Sequence, residues 1–272
     1  MATYDTLESS VESSRPVELY TFAQGSASYR YSSNESSITI GGTTWDGEAI
    51  GRNDIVQGAD DRSRTLDITL PATNSFVSQF ISTPPAQKIT VSVIRLQIDE
   101  TPSFTQTLIF KGVVRSVEFS DDGLTAVVHL QSIESDGSKI IPPYTFMGMC
   151  NHVLYGTGCG VSPSDHSFTG PVSAIDGDIV TLDGADASGV DFVGGFCKPV
   201  GTNDFRMILA QDGDDLTLLL PFQNDPTGSN VQAFAGCDHI VDSDCAVVFD
   251  NVKRFGGFPW VPEKNPFETG ID

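Results

Sequence analysis

The stretch TLIFKGVVRSVEFSDDGLTAVVHLQSI, residues 107–133, decides the fold class. Two runs rich in β-branched residues flank the segment SDDG. The Asp122-Gly123 pair in that segment suits a tight turn between antiparallel strands, because both residue types tolerate the backbone angles that such turns require. The stretch therefore predicts one long β-hairpin.

Asp-Gly pairs recur along the chain and extend this interpretation. They stand at 46–47, 122–123, 136–137, 176–177, 183–184 and 212–213. Each pair marks a candidate turn. Three of them lie inside GPVSAIDGDIVTLDG and FRMILAQDGDDLTLLLPF, which read as hairpins of the second half. The pattern indicates antiparallel β-structure throughout.

The segments that flank the turns have strand periodicity. In TLDITL, residues 65–70, every second residue is apolar, as in a half-buried strand. In ITVSVIRLQI, residues 89–98, the apolar phase changes after Val93. That change predicts either a β-bulge near 93–94 or a strand buried on both faces.

Helical signals are few. Residues 71–82 predict a short helix that lies on a sheet, and residues 3–13 allow another. Two adjacent prolines in IIPPYTFMGMC, residues 140–150, indicate a domain boundary. We therefore predict an all-β fold with few short helices, built as two β-barrel-like domains, 1–143 and 144–272.

The charge of the chain restricts its partners. The formal net charge is −21 over 272 residues, which disfavours direct binding to nucleic acid or to anionic lipid. No apolar run is long enough to span a bilayer. The first residues, MATYDTLESSVESSRP, lack the features of a signal peptide, so we expect synthesis in a reducing cytoplasm. Cysteines at short spacings then indicate metal ligands before disulfides.

Four of the five cysteines form two pairs, in CNHVLYGTGC (residues 150–159) and CDHIVDSDC (residues 237–245). Four thiolates suit a tetrahedral zinc ion or a four-iron cluster. The spacing matches neither zinc fingers nor ferredoxins, so it leaves the metal open. Buried structural cysteines and two local disulfides are the alternatives. Cys197 stands apart and reads as a core thiol.

The histidines add a second class of hypothesis. His152 and His239 each follow a cysteine by two residues, which suits a metal ligand, a partner of a ligand or a loop surface. A histidine at an open coordination position would favour a metal-dependent hydrolase. His129 and His166 have no evident partners. The chain has no G-x-S-x-G, phosphate-loop or H-E-x-x-H motif, so catalysis has no positive signal.

The order of these features resembles the tail-tip hub proteins of long-tailed bacteriophages and gene transfer agents. A β-rich first half precedes a Cys-x8-Cys segment, hairpins and a closing FGGFPWVPEKNP. The residues that match the closing part of the family pattern are Gly236, Cys237, Asp238, Cys245, Asn251, Phe255, Gly256, Gly257, Phe258, Pro259 and Pro262. Cys197 has no counterpart in the family pattern.

The resemblance implies a non-enzymatic structural protein of the virion. Members of that family form the hub of the tail tip, commonly as homotrimers, between the tail tube or distal tail protein and the central tip or fibre protein. It implies an iron–sulfur cluster, [4Fe-4S], in the second half. The implied ligands are Cys150, Cys159, Cys237 and Cys245.

Overall fold

The computed structural model describes residues 3–55, 65–100, 104–133 and 144–260. The chain divides into two compact units, Met1–Lys139 and Ile140–Asp272. The domain boundary that we expected at 143/144 adjoins residues 134–143, which lie outside the described residues, as does the Asp-Gly pair at 136–137.

The described strands of the first unit form one nine-stranded sheet. Its strands follow in the order β3-β4-β2-β1-β7-β8-β9-β6-β5, and the only parallel pair among the described strands is β2 with β4. Their bounds are β1 Pro16–Gln24, β2 Ala27–Ser32, β3 Ile38–Ile40, β4 Thr43–Gly47, β5 Gly51–Arg52, β6 Thr65–Pro71, β7 Ile89–Gln97, β8 Thr107–Phe119 and β9 Thr125–Ser132.

The central hairpin is the one predicted from residues 107–133. Strands β8 and β9 pair antiparallel around the turn at Gly123. Strand β7 has a register shift between Val93 and Ile94, so the predicted bulge is confirmed. Val93 belongs to one hydrophobic cluster and Leu96 to another, so both faces of this strand are also buried.

Among the described residues of the first unit, two short helices accompany the sheet, α1 at Tyr4–Glu8 and α2 at Ser75–Ser78. Asn74 begins α2, and its side chain accepts a hydrogen bond from the Phe76 amide. Phe76 is fully buried and stacks on Phe22 with ring centroids 4.2 Å apart. The helix is shorter than predicted, and Ile81, which we placed on its buried face, is 67% exposed.

The second unit contains a closed six-stranded barrel with strand order β10-β11-β14-β13-β12-β15. Its core is made of small and medium apolar residues around Phe192. The strand bounds are β10 Ser167–Asp176, β11 Ile179–Leu182, β12 Phe196–Pro199, β13 Arg206–Asp212, β14 Asp215–Leu218 and β15 Asn230–Phe234. Short 3-10 turns lie at Pro163–His166, Asp186–Ser188 and Val252–Arg254, and a π-type turn at Val241–Cys245.

The mostly β fold with few short helices is therefore confirmed, with a barrel in the second unit and a large sheet in the first. The Asp-Gly pairs at 122–123, 176–177 and 212–213 make the predicted hairpin turns. The pairs at 46–47 and 183–184 do not connect adjacent strands of a hairpin. Within the part of the chain that the structure describes, no helix is long and apolar enough to cross a membrane.

Candidate functional site

The two cysteine pairs line one pocket beside the barrel, which we call the four-cysteine pocket. Three of the thiols are partly buried and Cys245 is buried. The residues that line the pocket are Cys150, His152, Leu154, Cys159, Cys237, His239, Cys245, Phe249, Asn251 and Arg254. The structure thus brings together the four cysteines and the two histidines that the sequence singled out.

The barrel places the two cysteine loops side by side. The first loop, residues 144–160, precedes β10, and the second, residues 235–258, follows β15. Strands β10 and β15 are antiparallel neighbours, with Ser167 opposite Phe234, so both loops leave the barrel at the same end. The Ala235 amide donates to the His166 carbonyl over 3.0 Å and extends this pairing toward the pocket.

Gly236, which begins the second loop, is required by close backbone contact. A Cβ atom there would collide with the Val193 carbonyl oxygen and would lie 2.6 Å from the Gly195 amide nitrogen. A side chain at this position would push the loop away from the barrel. The glycine before Cys237 therefore fixes where the second pair of cysteines begins.

A reciprocal contact joins the two loops directly. The Cys150 amide donates to the His239 carbonyl over 2.9 Å, and Nδ1 of His239 donates to the Cys150 carbonyl over 3.1 Å. His239 has a φ of 61°, which is uncommon for a residue with a side chain. These bonds hold it in that conformation and leave its ring against the first loop.

Hydrogen bonds to sulfur surround the pocket. The Gly256 amide donates to Sγ of Cys150 over 3.3 Å, and the His239 amide donates to Sγ of Cys237 over 3.4 Å. Nδ2 of Asn251 lies 3.5 Å from Sγ of Cys159 and donates to the carbonyl of the same residue over 2.9 Å. Donors aimed at sulfur favour the thiolate form, which is the form that binds metals.

Burial and neighbouring negative charges disfavour the thiolate form of the pocket cysteines unless a positive charge compensates them. Burial, together with the neighbouring carboxylates of Asp244 and Asp238, raises the pKa of the Cys237 thiol to about 11. Burial also raises the pKa of Cys245, with the nearby thiolates of Cys150 and Cys159 adding to the shift. The thiols are therefore close enough to repel one another once ionised, and a bound cation would relieve that repulsion.

The separation of the sulfurs limits what they can hold. Among the described residues, the metal-ligand atoms that converge within 4.8 Å of one another in a group of three belong to Cys237, Asp238 and Asp244. No three of the four pocket cysteines meet that distance. A tetrahedral zinc with Zn–S bonds of about 2.3 Å holds its sulfurs about 3.8 Å apart.

Both pocket histidines use one ring nitrogen for structure. Nδ1 of His152 donates to the Arg254 carbonyl over 3.0 Å. Its ring lies between Gly158 and Gly256, where added Cβ atoms would lie 2.8 Å and 2.7 Å from ring atoms. Of the other histidines, His129 binds Asp67 in the first unit, and His166 packs edge-on against Phe249.

Cys197 lies apart from the pocket. It is fully buried in β12 and belongs to the hydrophobic cluster of the barrel. Burial raises the pKa of its thiol to about 12. The prediction of a core thiol is confirmed. All five cysteines are free thiols in the structure, including the two pairs considered for local disulfides.

The closing segment, residues 255–272, is described as far as Trp260, and this part packs on the first cysteine loop. The Phe258 amide donates to the Met147 carbonyl over 2.8 Å, and the rings of Phe146 and Phe258 lie 4.1 Å apart. Nδ2 of Asn151 donates to the Gly256 carbonyl over 2.9 Å. This contact sets the position of the Gly256 amide that reaches Cys150.

Sequence reasoning missed four residues of the site, Leu154 of the pocket lining among them. Tyr155 donates from its hydroxyl to the Ala235 carbonyl over 2.9 Å and so ties the first loop to the end of the barrel. Phe249 and Arg254 line the pocket. Only the Arg254 charge, in a strongly acidic chain, could have signalled its role; Tyr155 and Phe249 carry no local signal.

Comparison with known families gives this site a context. The family "Baseplate hub protein, N-terminal attachment domain" matches residues 16–162, just over half of the chain. The chain belongs to this baseplate hub family. A second family, "Phage conserved hypothetical protein BR0599", matches residues 192–265. The first cysteine pair of this hub protein lies inside one match and the second pair inside the other.

Individual relatives are distant in sequence. An uncharacterized protein of Xylella fastidiosa (strain 9a5c) is 23% identical over 178 residues, which cover 60% of this chain. The match spans 36% of that protein, about a third of its length. A chain from the structure "Virion of native gene transfer agent (GTA) particle" has a TM-score of 0.79 at 15% identity, over 98% of this chain and 94% of that chain. This likeness shows a shared fold over nearly the whole length.

The family places this hub protein in the virion, as a structural component of the tail or baseplate.

Proposed function

We propose that this protein is a non-enzymatic hub of the tail tip that holds an iron–sulfur cluster, [4Fe-4S], in the four-cysteine pocket. The proposal rests on the convergence of Cys150, Cys159, Cys237 and Cys245 on one pocket. The first two come from the loop that precedes the barrel strands in the chain, and the other two from the loop that follows them. Four thiolates are the usual ligand set of such clusters.

The donor set fits a cluster better than a single ion. Each thiolate of a cubane cluster binds a different iron, so the sulfurs lie further apart than around one zinc. The absence of any three pocket thiols within 4.8 Å of one another agrees with that arrangement. The amide and side-chain donors to the sulfurs of Cys150, Cys237 and Cys159 are the contacts that set the properties of such clusters. When bound, the cluster would supply the positive charge that the thiolates lack.

The assembly role rests on family membership and on the resemblance to tail-tip hubs. We propose a homotrimer that connects the tail tube or distal tail protein to the central tip or fibre protein. The net charge of −21 favours protein partners over nucleic acid or anionic lipid.

The deciding experiment measures iron, zinc and acid-labile sulfide in protein purified without oxygen, together with its visible spectrum. We expect about four iron and four sulfide per chain. The variant Cys237→Ser should lose them, while Cys197→Ser, which alters a thiol of the barrel core, should retain them. Light scattering on the same preparation tests the trimer.

A metal-dependent, virion-associated hydrolase is the second candidate, and one observation favours it. The ligand atoms of Cys237, Asp238 and Asp244 lie within 4.8 Å of one another, which would leave coordination positions of a single ion open. Zinc in place of iron, retained in Cys159→Ser and lost in Asp244→Asn, would favour this candidate and count against the cluster.

A further inference from the structure

Arg254 lines the four-cysteine pocket and is also exposed, so it lies where the pocket meets solvent. Its guanidinium lies against the backbone of Gly160, the residue after Cys159, at the position where a side chain would otherwise stand. Gly160 has a φ of 69°, so a larger residue is disfavoured there by conformation as well as by space. The glycine at position 160 therefore leaves the space that the guanidinium of Arg254 occupies.

The backbone around Arg254 is fixed from both pocket loops. Its amide donates to the Asn251 carbonyl over 2.9 Å, and its carbonyl accepts from Nδ1 of His152 over 3.0 Å. Asn251 in turn contacts Cys159, and two residues after Arg254 the Gly256 amide reaches Cys150. The position of the guanidinium is thereby coupled to two of the thiols.

The charge of Arg254 is unusual in its surroundings. Asp238 and Asp244 stand next to Cys237 and have the same sign as the thiolates. Within residues 144–260, no carboxylate forms an ion pair with Arg254. Lys253, its neighbour on the same 3-10 turn, is exposed and does not line the pocket. Among the described residues that line the pocket, Arg254 therefore supplies the one permanent positive charge, and it lies against Gly160, the residue that follows Cys159.

We propose that Arg254 is the counter-charge of the four-cysteine pocket and sets the reduction potential of the cluster held there. The inference rests on the proposed iron–sulfur site. One-electron reduction adds one negative charge to the pocket, with the electron coming from an external donor such as dithionite. A nearby guanidinium stabilises that added charge, so it makes reduction easier.

The experiment compares three variants of the full chain purified without oxygen: Arg254→Gln, Arg254→Lys and Lys253→Gln. The midpoint potential is measured by titration with dithionite, followed by the visible spectrum. We expect a more negative midpoint in Arg254→Gln, whereas Arg254→Lys stays close to the unsubstituted protein. Lys253→Gln removes the same charge from the same turn and should change the midpoint least.

Salt provides a further test of the charge itself. Because Arg254 is exposed, ions screen its effect, so the difference between Arg254→Gln and the unsubstituted protein should shrink between about 0.05 M and about 0.5 M salt. A role in packing alone would not depend on salt.

The outcomes separate this inference from the proposed function. Unsubstituted protein without iron overturns both. Iron present, with equal midpoints in Arg254→Gln and Lys253→Gln, overturns only the role of Arg254. If Arg254→Gln loses its iron, Arg254→Lys decides: iron retained at the original midpoint supports the counter-charge, and iron lost there as well shows that Arg254 only fills space.

Discussion

The two units of this hub protein are stabilised in different ways. The first buries large side chains on both faces of its sheet: Tyr20, Phe22 and Phe76 in one cluster, and Leu19 with Trp45 in another. The second has a compact barrel, but its cysteine loops lie outside that core and are held by polar contacts to sulfur and carbonyl groups. Hydrophobic burial suffices for the first unit. In the second unit, the proposed cluster would add a link between the two cysteine loops.

The largest expected effect comes from removing the proposed cluster, which would test whether the cysteine loops depend on it. Structural metal sites in small domains contribute on the order of 10 kcal/mol, more than any single side chain. After chelation, the amides of Cys150, His239 and Gly256 should lose their protection from hydrogen exchange. The amides of β7 and β8 in the first unit should keep theirs. Equal protection of the pocket amides with and without chelator would contradict the idea that the cysteine loops, unlike the first unit, depend on a bound metal.

The substitution Phe76→Ala has the next largest effect and is confined to the first unit. It removes a fully buried ring that stacks on Phe22, which costs about 3–5 kcal/mol. Urea unfolding followed by Trp45 fluorescence measures it, in a Trp260→Phe background, because the chain has two tryptophans.

Phe192→Ala is the matched control for that substitution. Phe192 is fully buried in the barrel core, so its loss should destabilise the second unit and leave the Trp45 transition in place. A shift of the Trp45 transition by Phe192→Ala as large as that by Phe76→Ala would show that the two units unfold together.

The smallest effect is a pH dependence that belongs to the first unit. A hydrogen bond to Asp67 over 2.7 Å raises the pKa of His129, and Glu118 adds to the shift. Because the folded-state pKa is raised, the stabilisation is fully present below about pH 6.5 and is lost as the pH rises through the folded-state value. His129→Gln should remove less than about 1 kcal/mol at low pH.

Unfolding of Trp260→Phe protein by urea at about pH 5.5 and about pH 8.5 measures that difference. His166→Gln, in the second unit, should leave the pH dependence of the Trp45 transition unchanged. If His129→Gln leaves the pH dependence of the Trp45 transition unaltered, that dependence arises from other groups and the prediction is wrong.

The sequence predicted elements whose signals are local. The alternation in 65–70 and the phase change near Val93 correspond to β6 and to the bulge of β7. The turn signals were less reliable. Gly47 reads as part of a hairpin turn, but it is required because a Cβ there would lie 2.7 Å from the Asn34 carbonyl oxygen. That contact depends on tertiary structure, which a dipeptide cannot reveal.

The site was predictable in its thiols and not in its supporting residues. The paired spacing of the cysteines, together with the resemblance, singled out the four residues that line the pocket. Tyr155 and Arg254 act through contacts with Ala235 and Gly160, 80 and more residues away in the chain. Such contacts follow from how β10 and β15 pair, and no local pattern encodes them.

The bond between the Gly256 amide and Cys150 joins positions 106 residues apart. Because a ribosome makes the chain from its N-terminus, Cys150 emerges and stays exposed to solvent for the time needed to synthesise the whole barrel. The barrel can close as soon as β15 has emerged, but the pocket cannot be completed until residue 256 follows. Binding of the proposed cluster would then mark a subunit whose translation has passed residue 256. Unfinished chains would carry thiols that have no cluster to bind.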